Sequence, residues 1–249
     1  MSFSKNKMLV MPAVDIRNGK CVQLVQGKPG SEQVIIENPE EVAKNWEQIG
    51  ANIIHVIDLD GALGAEDNLW TIKKIRKDVG VPIQMGGGIR NYEYAERLLE
   101  LGIDRVIIGT MAIEHPEIIS KLSQEYGSDR IMVSLDSKDS KVVIKGWTEK
   151  ISQSADEISN MFKEKGAGSV LFTNVDYEGL LNGFNIEPVN KLINSTDIPI
   201  VYAGGITSTD DLKILRDKTQ VQGVVIGSAL YKKTINLKDA LQYQTRSPL

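Results

Sequence analysis

Apolar positions along this chain fall into two rhythms. Short, nearly continuous apolar runs end in glycine or aspartate, and between them lie longer stretches in which apolar residues return every three or four positions. Runs of the first kind suit parallel strands buried on both faces, and stretches of the second suit amphipathic helices. Strands are predicted at residues 8–14, 53–59, 81–85, 105–108, 130–135 and 169–173, with two more starting near Ile198 and ending before Gly227. Helices are predicted from Asn38-Pro39, over 68–79 and 91–101, from His115-Pro116, and over 152–165, 187–194, 208–217 and 237–243. Asn38 reads as an N-cap with Pro39 in the first helical position. Pro12 fits the first strand only where its missing N–H falls at an irregular or unpaired place. The stretches after the first and fifth strands, IRNGKCVQLVQGKPG and SKDSKVVIKGW, read as hairpin-like loops.

One block of this pattern occurs twice. IPIVYAGGITSTDDL followed by GVVIGSAL, within residues 198–230, repeats VPIQMGGGIRNYEYA followed by RVIIGTMA, within 81–112. Pro82 and Pro199, Gly87 and Gly204, and Ile89 and Ile206 share one separation of 117 positions, close to half of the 249-residue chain. Asp15 and Asp136, at the ends of the first and fifth apolar runs, are separated by 121. Strand-helix alternation in two copies predicts an α/β chain folded as a single (β/α)8 TIM barrel over residues 1–249, built from two duplicated half-barrels, with frayed ends at 1–7 and 246–249.

Composition narrows the chemistry. With 29 Lys and Arg against 33 Asp and Glu, broad binding to nucleic acid is disfavoured. No apolar run approaches the roughly 20 residues of a membrane span, and the polar start is unlike a signal peptide, so a cytoplasmic monomer is expected. A lone Cys21 with only His55 and His115 offers no zinc-type cluster, and neither a metal nor an organic cofactor is expected.

Glycine turns at strand ends let backbone N–H groups converge on an anion. Two phosphate sites are therefore expected, one at Gly204 and Gly205 with Gly227 and Ser228, the other at Gly88 with Gly109 and Thr110. Asp15 and Asp136 would face one another across the barrel mouth, as a general acid and a general base do. A lone aspartate after a strand is more often a turn former, and the repeat reverses that preference. Asp58 and Asp60 stand evenly between turn chemistry and function. His55 reads as a hydrogen-bonded core residue, Met85 and Met132 as barrel filling, and Trp147 either as loop packing or as a platform for a planar heterocycle.

With PAVDIRNGKCVQLVQG, GGGIR, SLD, KGW, AGGI and VIGSAL in place, the chain from Leu9 to Tyr243 resembles the phosphoribosylformimino-5-aminoimidazole carboxamide ribotide isomerase family of histidine biosynthesis. The resemblance implies a small-molecule bisphosphate substrate and an Amadori rearrangement of an aminoaldose to an aminoketose, without metal or cofactor. It makes Asp15 the general base, Asp136 the general acid and Thr173 an assisting hydroxyl. Arg90 becomes the characteristic arginine of the isomerase, and Trp147 a loop tryptophan that covers the substrate's imidazole; the Gly146 beside it reads, from the loop itself, as a pivot. Where the family has Asp-Gly-Thr after the sixth strand, this chain has Glu178-Gly179-Leu180. Three rivals share parts of the pattern: an isomerase that also rearranges phosphoribosylanthranilate, the sister cyclase fed by a glutaminase, and a non-catalytic phosphometabolite-binding barrel. GGGIR and KGW favour the isomerase over the cyclase, and the two aspartates disfavour the binding barrel.

Overall fold

Valine and isoleucine crowd the apolar runs, and their branched Cβ atoms pack well on a pleated surface, so these runs become strands. The computed structural model describes residues 8–139, 141–145, 147–181 and 183–244. β1 (Leu9–Arg17) turns back at Asn18 and Gly19, both with positive φ, into β2 (Lys20–Gln23), against which β3 (Val34–Ile36) pairs. There follow α1 (Pro39–Ile49), β4 (Ile54–Asp58), the short α2 (Leu59–Leu63), α3 (Leu69–Asp78), β5 (Ile83–Gly86) and α4 (Tyr92–Glu100). β6 (Arg105–Ile108), the short α5 (Thr110–Glu114) and α6 (Glu117–Tyr126) complete the first half. In the second half β7 (Ile131–Lys138) folds back through β8 (Lys141–Ile144) and β9 (Glu149–Lys150). Then come α7 (Ala155–Glu164), β10 (Ser169–Asn174), α8 (Glu187–Ser195), β11 (Ile200–Ala203), α9 (Thr209–Lys218), β12 (Gly223–Ile226), α10 (Ser228–Tyr231) and α11 (Leu237–Ala240).

Parallel pairing closes a ring in the order β1, β4, β5, β6, β7, β10, β11, β12 and back to β1, which is the (β/α)8 barrel with helices around it. β1 and β7 stand opposite one another in that ring. Pro12 is accommodated where β1 changes neighbours: it is the last residue in register with β12, and Ala13 is the first in register with β4.

Alternation sorts the strand side chains into two cores. Val10, Val14, Val56, Val106, Val133 and Phe172 face outward and merge with the apolar faces of the helices. Met11, Ala13, Ile107, Met132, Leu171 and Val201 face inward and fill the barrel. Met132 is thus barrel filling as expected, whereas Met85 faces the helices, because it shares a rung with the outward Val56.

Below the mouth the interior turns polar. Arg105, 2% exposed, donates to the Gln84 Oε1 and, at 3.5 Å, to the Ser169 hydroxyl. Arginine can only donate, so it holds the amide oxygen and leaves Gln84 Nε2 to donate to His55 Nδ1 at 2.7 Å. The His55 proton therefore sits on Nε2. Burial, and then the Arg105 charge, push the His55 pKa down to about 3, so the ring stays neutral. His55 is a hydrogen-bonded residue of the barrel interior, in line with its sequence reading.

Several local expectations are corrected. Asp15 and Asp136 lie within β1 and β7 rather than at their ends, because both strands continue into antiparallel arms. Asn38 occupies the N-cap position without donating or accepting a capping side-chain bond. The final helix breaks after Ala240 into a 3-10 turn, Leu241–Tyr243. Asp58 and Asp60 serve structure: Asp58 accepts from the N–H groups of Gly61 (3.0 Å) and Asn68 (2.9 Å), and Asp60 from Asn18 N and from Asn68 Nδ2 at 2.8 Å. The expected frayed ends and Gly146 lie outside the described residues.

The repeat is visible in the backbone angles. Gly87 and Gly204 both have φ of 98°, and Gly109 and Gly227, before the short α5 and α10, have φ/ψ of −98°/−109° and −104°/−100°. A Cβ on Gly87 would lie 2.1 Å from the Asp58 carbonyl oxygen, and one on Gly204 would lie 2.5 Å from that of Asn174. Alanine at either position therefore combines left-handed strain with a backbone clash. Gly87→Ala and Gly204→Ala are each expected to lower unfolding stability by at least about 2 kcal/mol, read by urea denaturation. A loss below about 0.5 kcal/mol would show that the turn relaxes and that the close approach is dispensable.

Candidate active site

The inward rows lead directly to the mouth. Ala13 faces in, so Asp15 two positions on does too; Met132 places Asp136, and Leu171 places Thr173, which shares a rung with Asp136. Asp15, Asp136 and Thr173 line one cavity of about 780 Å3, together with Gly88, Gly109 and Thr110 on one side and Gly204, Gly205, Gly227 and Ser228 on the other. Because β5 and β6 stand opposite β11 and β12 in the ring, the two glycine-turn pairs face each other, and the line joining them crosses the line joining the aspartates.

Three carboxyls share this cavity. Burial, then the negative charge of Glu178, push the Asp15 pKa up to about 7, against a hydrogen bond from Gln23 that favours the ion. Glu178 is likewise pushed up to about 7, by burial and then by Asp136. Asp136 is raised by burial and held back by hydrogen bonds from Trp147 and Thr173. Each carboxyl is partly open to the cavity yet walled by protein, so little bulk water screens the three from one another. Among the described residues, no group of three or more His, Cys, Asp and Glu is arranged to hold a metal ion.

Loops from three strands meet over the opening. Trp147 and Lys145 both have left-handed φ, 70° and 54°. The Lys145 N–H donates to the Thr110 hydroxyl at 3.0 Å, which ties this loop to a predicted phosphate turn. The Trp147 indole packs on Gly27, where a Cβ would come within 2.8 Å of the ring. The loop after β10 is held from the same side, since the Gln26 N–H donates to the Glu178 carbonyl at 3.3 Å. Arg90 lies at the rim, exposed, with Nη2 donating to the Gly61 carbonyl at 2.8 Å.

Sequence reading missed the placement of Glu178 and Gln23. Glu178 was marked only as a departure in a loop, and the structure brings it between the aspartates. Leu180, the other departure, is 36% exposed and does not line the cavity, so its lack of a hydroxyl bears on the outer surface. Gln23 carried a usable signal, a polar residue closing the apolar Cys21-Val22 segment of the arm.

The chain is similar to known proteins along most of its length. A family model described as "Histidine biosynthesis protein" matches residues 9–236. A protein from Methanothermobacter thermautotrophicus, named 1-(5-phosphoribosyl)-5-((5-phosphoribosylamino)methylideneamino) imidazole-4-carboxamide isomerase, is 59% identical over 237 residues, 95% of this chain and 99% of its own. Proteins of the same name from Methanosphaera stadtmanae and Methanococcus maripaludis are 61% and 56% identical, over 95% and 94% of this chain and 100% and 99% of their own.

The raised Asp15 pKa has a consequence for stability. Above about pH 7 the folded protein holds a buried carboxylate that the unfolded chain would solvate, so ionisation there costs stability. Between the unfolded value of 3.8 and about 7 the native state binds the extra proton, and stability falls as pH rises through this window. Asp15→Asn removes the cost. The variant is expected to be more stable than the parent at pH 8, by on the order of 2 kcal/mol, with the difference closing toward pH 4. Thermal melts across that range check it, and a pH-independent difference would contradict it.

Proposed function

The chain belongs to the histidine biosynthesis protein family, and from that premise we propose how its mouth rearranges an aminoaldose into an aminoketose. It is an isomerase of histidine biosynthesis, as its relatives' names state of them over nearly the full length. The proposed substrate is the bisphosphate ProFAR and the product PRFAR. The observation that supports this most directly is the pairing of Asp15 and Asp136 from opposed strands, in one cavity flanked by two glycine turns.

The reaction needs a proton delivered to the sugar ring oxygen and a proton removed from C2′. Asp136 delivers the first, opening the ring to a Schiff base. Its charge is coupled to that of Glu178, and two facing carboxyls in a walled cavity resist ionising together, so a proton is retained between them. Asp15 removes the second, giving an enolamine that tautomerises to the ketose. A carboxyl with a pKa near 7 is about half ionised at neutral pH, and is basic enough to take a proton from carbon. Thr173, hydrogen-bonded to Asp136, orients the acid. The turn at Gly88, Gly109 and Thr110 takes one terminal phosphate, and that at Gly204, Gly205, Gly227 and Ser228 the other. Binding energy at the two ends then holds the sugar between the acids.

Trp147 completes the site in this reading as a lid. It exchanges its bond to Asp136 for stacking on the imidazole, which frees the acid as substrate arrives and excludes water from the opened chain.

Asp15→Asn and Asp136→Asn are each expected to fold and to lose at least about 100-fold in kcat for ProFAR. Near-parental turnover by either variant removes that residue from the mechanism, and phosphoribosylanthranilate assayed beside ProFAR decides whether a second substrate is turned over. For the lid, Trp46→Phe and Trp70→Phe leave Trp147 as the sole reporter, and PRFAR is expected to change its emission. Trp147→Ala is expected to raise KM about tenfold. Unchanged emission together with unchanged KM would mean that the indole is a fixed part of the rim.

A further inference from the structure

Gln23 closes β2, is 1% exposed, and has no part in the chemistry described so far. Its carboxamide spans two groups of the site. Nε2 donates to Asp15 Oδ2 at 3.1 Å and to the Val22 carbonyl at 2.9 Å, while Oε1 accepts from the Ser228 hydroxyl at 3.0 Å. The orientation follows from the partners: a carboxylate only accepts, so turning the amide over would set Oε1 against Asp15. The amide also packs directly on the glycine turn, where a Cβ on Gly227 would come within 2.7 Å of Oε1.

This bridge breaks the two-fold repeat. Gln23 lies eight positions after Asp15, and the residue eight positions after Asp136 is the apolar Ile144. On that side the Thr110 hydroxyl, equivalent to that of Ser228, is held by the Lys145 backbone instead. Among the described residues, a side chain ties Asp15 but not Asp136 to a glycine turn.

We propose that Gln23 is a positioning residue that anchors Asp15 to the Gly227-Ser228 turn, fixing the carboxyl under the sugar and favouring its charged form. This rests on the reading of Asp15 as base and of Gly227 and Ser228 as a phosphate turn. The anchor matters because burial and Glu178 oppose ionisation of Asp15, and among the described residues Gln23 is the side chain that favours it. Glu178 repels it from the loop after β10, and on the arm and α10 the neighbours Cys21 and Tyr231 are uncharged, with Tyr231 donating instead to the Ala13 carbonyl at 2.6 Å and contacting Cys21 Sγ at 3.1 Å. Gln23 supplies the side-chain hydrogen bond that favours the ion.

The test is the pH profile of kcat/KM with ProFAR for Gln23→Met, Gln23→Glu and Ser228→Ala, with Asp15→Asn measured alongside. Loss of the donor in Gln23→Met is expected to move the acidic limb upward by about one pH unit, with the rate recovering to within a few-fold of parental on the alkaline side. Gln23→Glu keeps the acceptor for Ser228 but sets a second carboxylate against Asp15, so its limb moves further. It also carries the test if the methionine variant does not fold. Ser228→Ala loosens the anchor and also takes a hydroxyl from the phosphate turn, so it moves the limb the same way by less, while weaker phosphate binding shows separately as a raised KM. A uniform loss of rate with an unmoved limb in the folded glutamine variants would show that Gln23 only packs, and would overturn the proposal. Turnover retained by Asp15→Asn would instead bring down the base assignment itself; an inactive Asp15→Asn with an unmoved limb isolates the failure to Gln23.

Discussion

Closing eight parallel strands into a ring leaves room for only one set of side chains inside, and the register between neighbours decides which residues belong to it. Here β1 slides past β12 through Pro12 and takes up β4 from Ala13, so that Ala13, and with it Asp15, faces the axis. A shift of one residue would turn Asp15 outward into the shell of valines and isoleucines beneath the helices. The same condition holds at β7, where the rung shared by Asp136 and Thr173 places both at the mouth. Position at the site is therefore a consequence of pairing along whole strands, and substitutions that disturb packing far below can displace the acids.

Inside that ring the interior is graded. Its lower part is closed by apolar side chains together with the Arg105, Gln84 and His55 chain, in which the Gln84 amide is bonded at both its oxygen and its nitrogen and the imidazole is held neutral. Above it, three carboxyls share a walled space, and hydrogen bonds make them unequal: Gln23 acts on Asp15, Trp147 and Thr173 act on Asp136, and Glu178 presses on the aspartates by charge. Burial raises all three, a neighbouring negative charge adds to it at Asp15 and Glu178, and the distribution of donors gives each its own response.

Duplication supplies the plan, and the departures from it supply the function. The opposed aspartates repeat, and the glycine turns do so with nearly the same backbone angles. The arms do not. On one side the arm contributes a side-chain bridge from Ser228 to Asp15; on the other it contributes a backbone contact to Thr110 and an indole over the acid. An exactly two-fold site would treat both ends of a substrate alike, whereas proton transfer in one direction requires two different acids.

The eight strands, most of the helices, the duplication, both aspartates and the glycine turns were legible in the sequence, because each is a local pattern: an apolar run, a 3.6-residue period, a recurring glycine, a repeat at constant spacing. The short helices α2, α5 and α10 were not legible, since four or five residues carry no period. Asp58 and Asp60 stood undecided until their partners at Asn18, Gly61 and Asn68 were placed. Met85 was assigned to the wrong core, as alternation shows that a residue differs from its neighbours but not which face is inside. Glu178 depended on tertiary structure, because its loop reaches the aspartates only when the ring closes, whereas Gln23 meets Asp15 within the local β1–β2 hairpin and was missed because one polar residue in an apolar arm does not name its partner. Sequence determines what each segment is able to form and which chemistry it carries; closure of the barrel decides which side chains face one another, and so which of those acids can act on the same molecule.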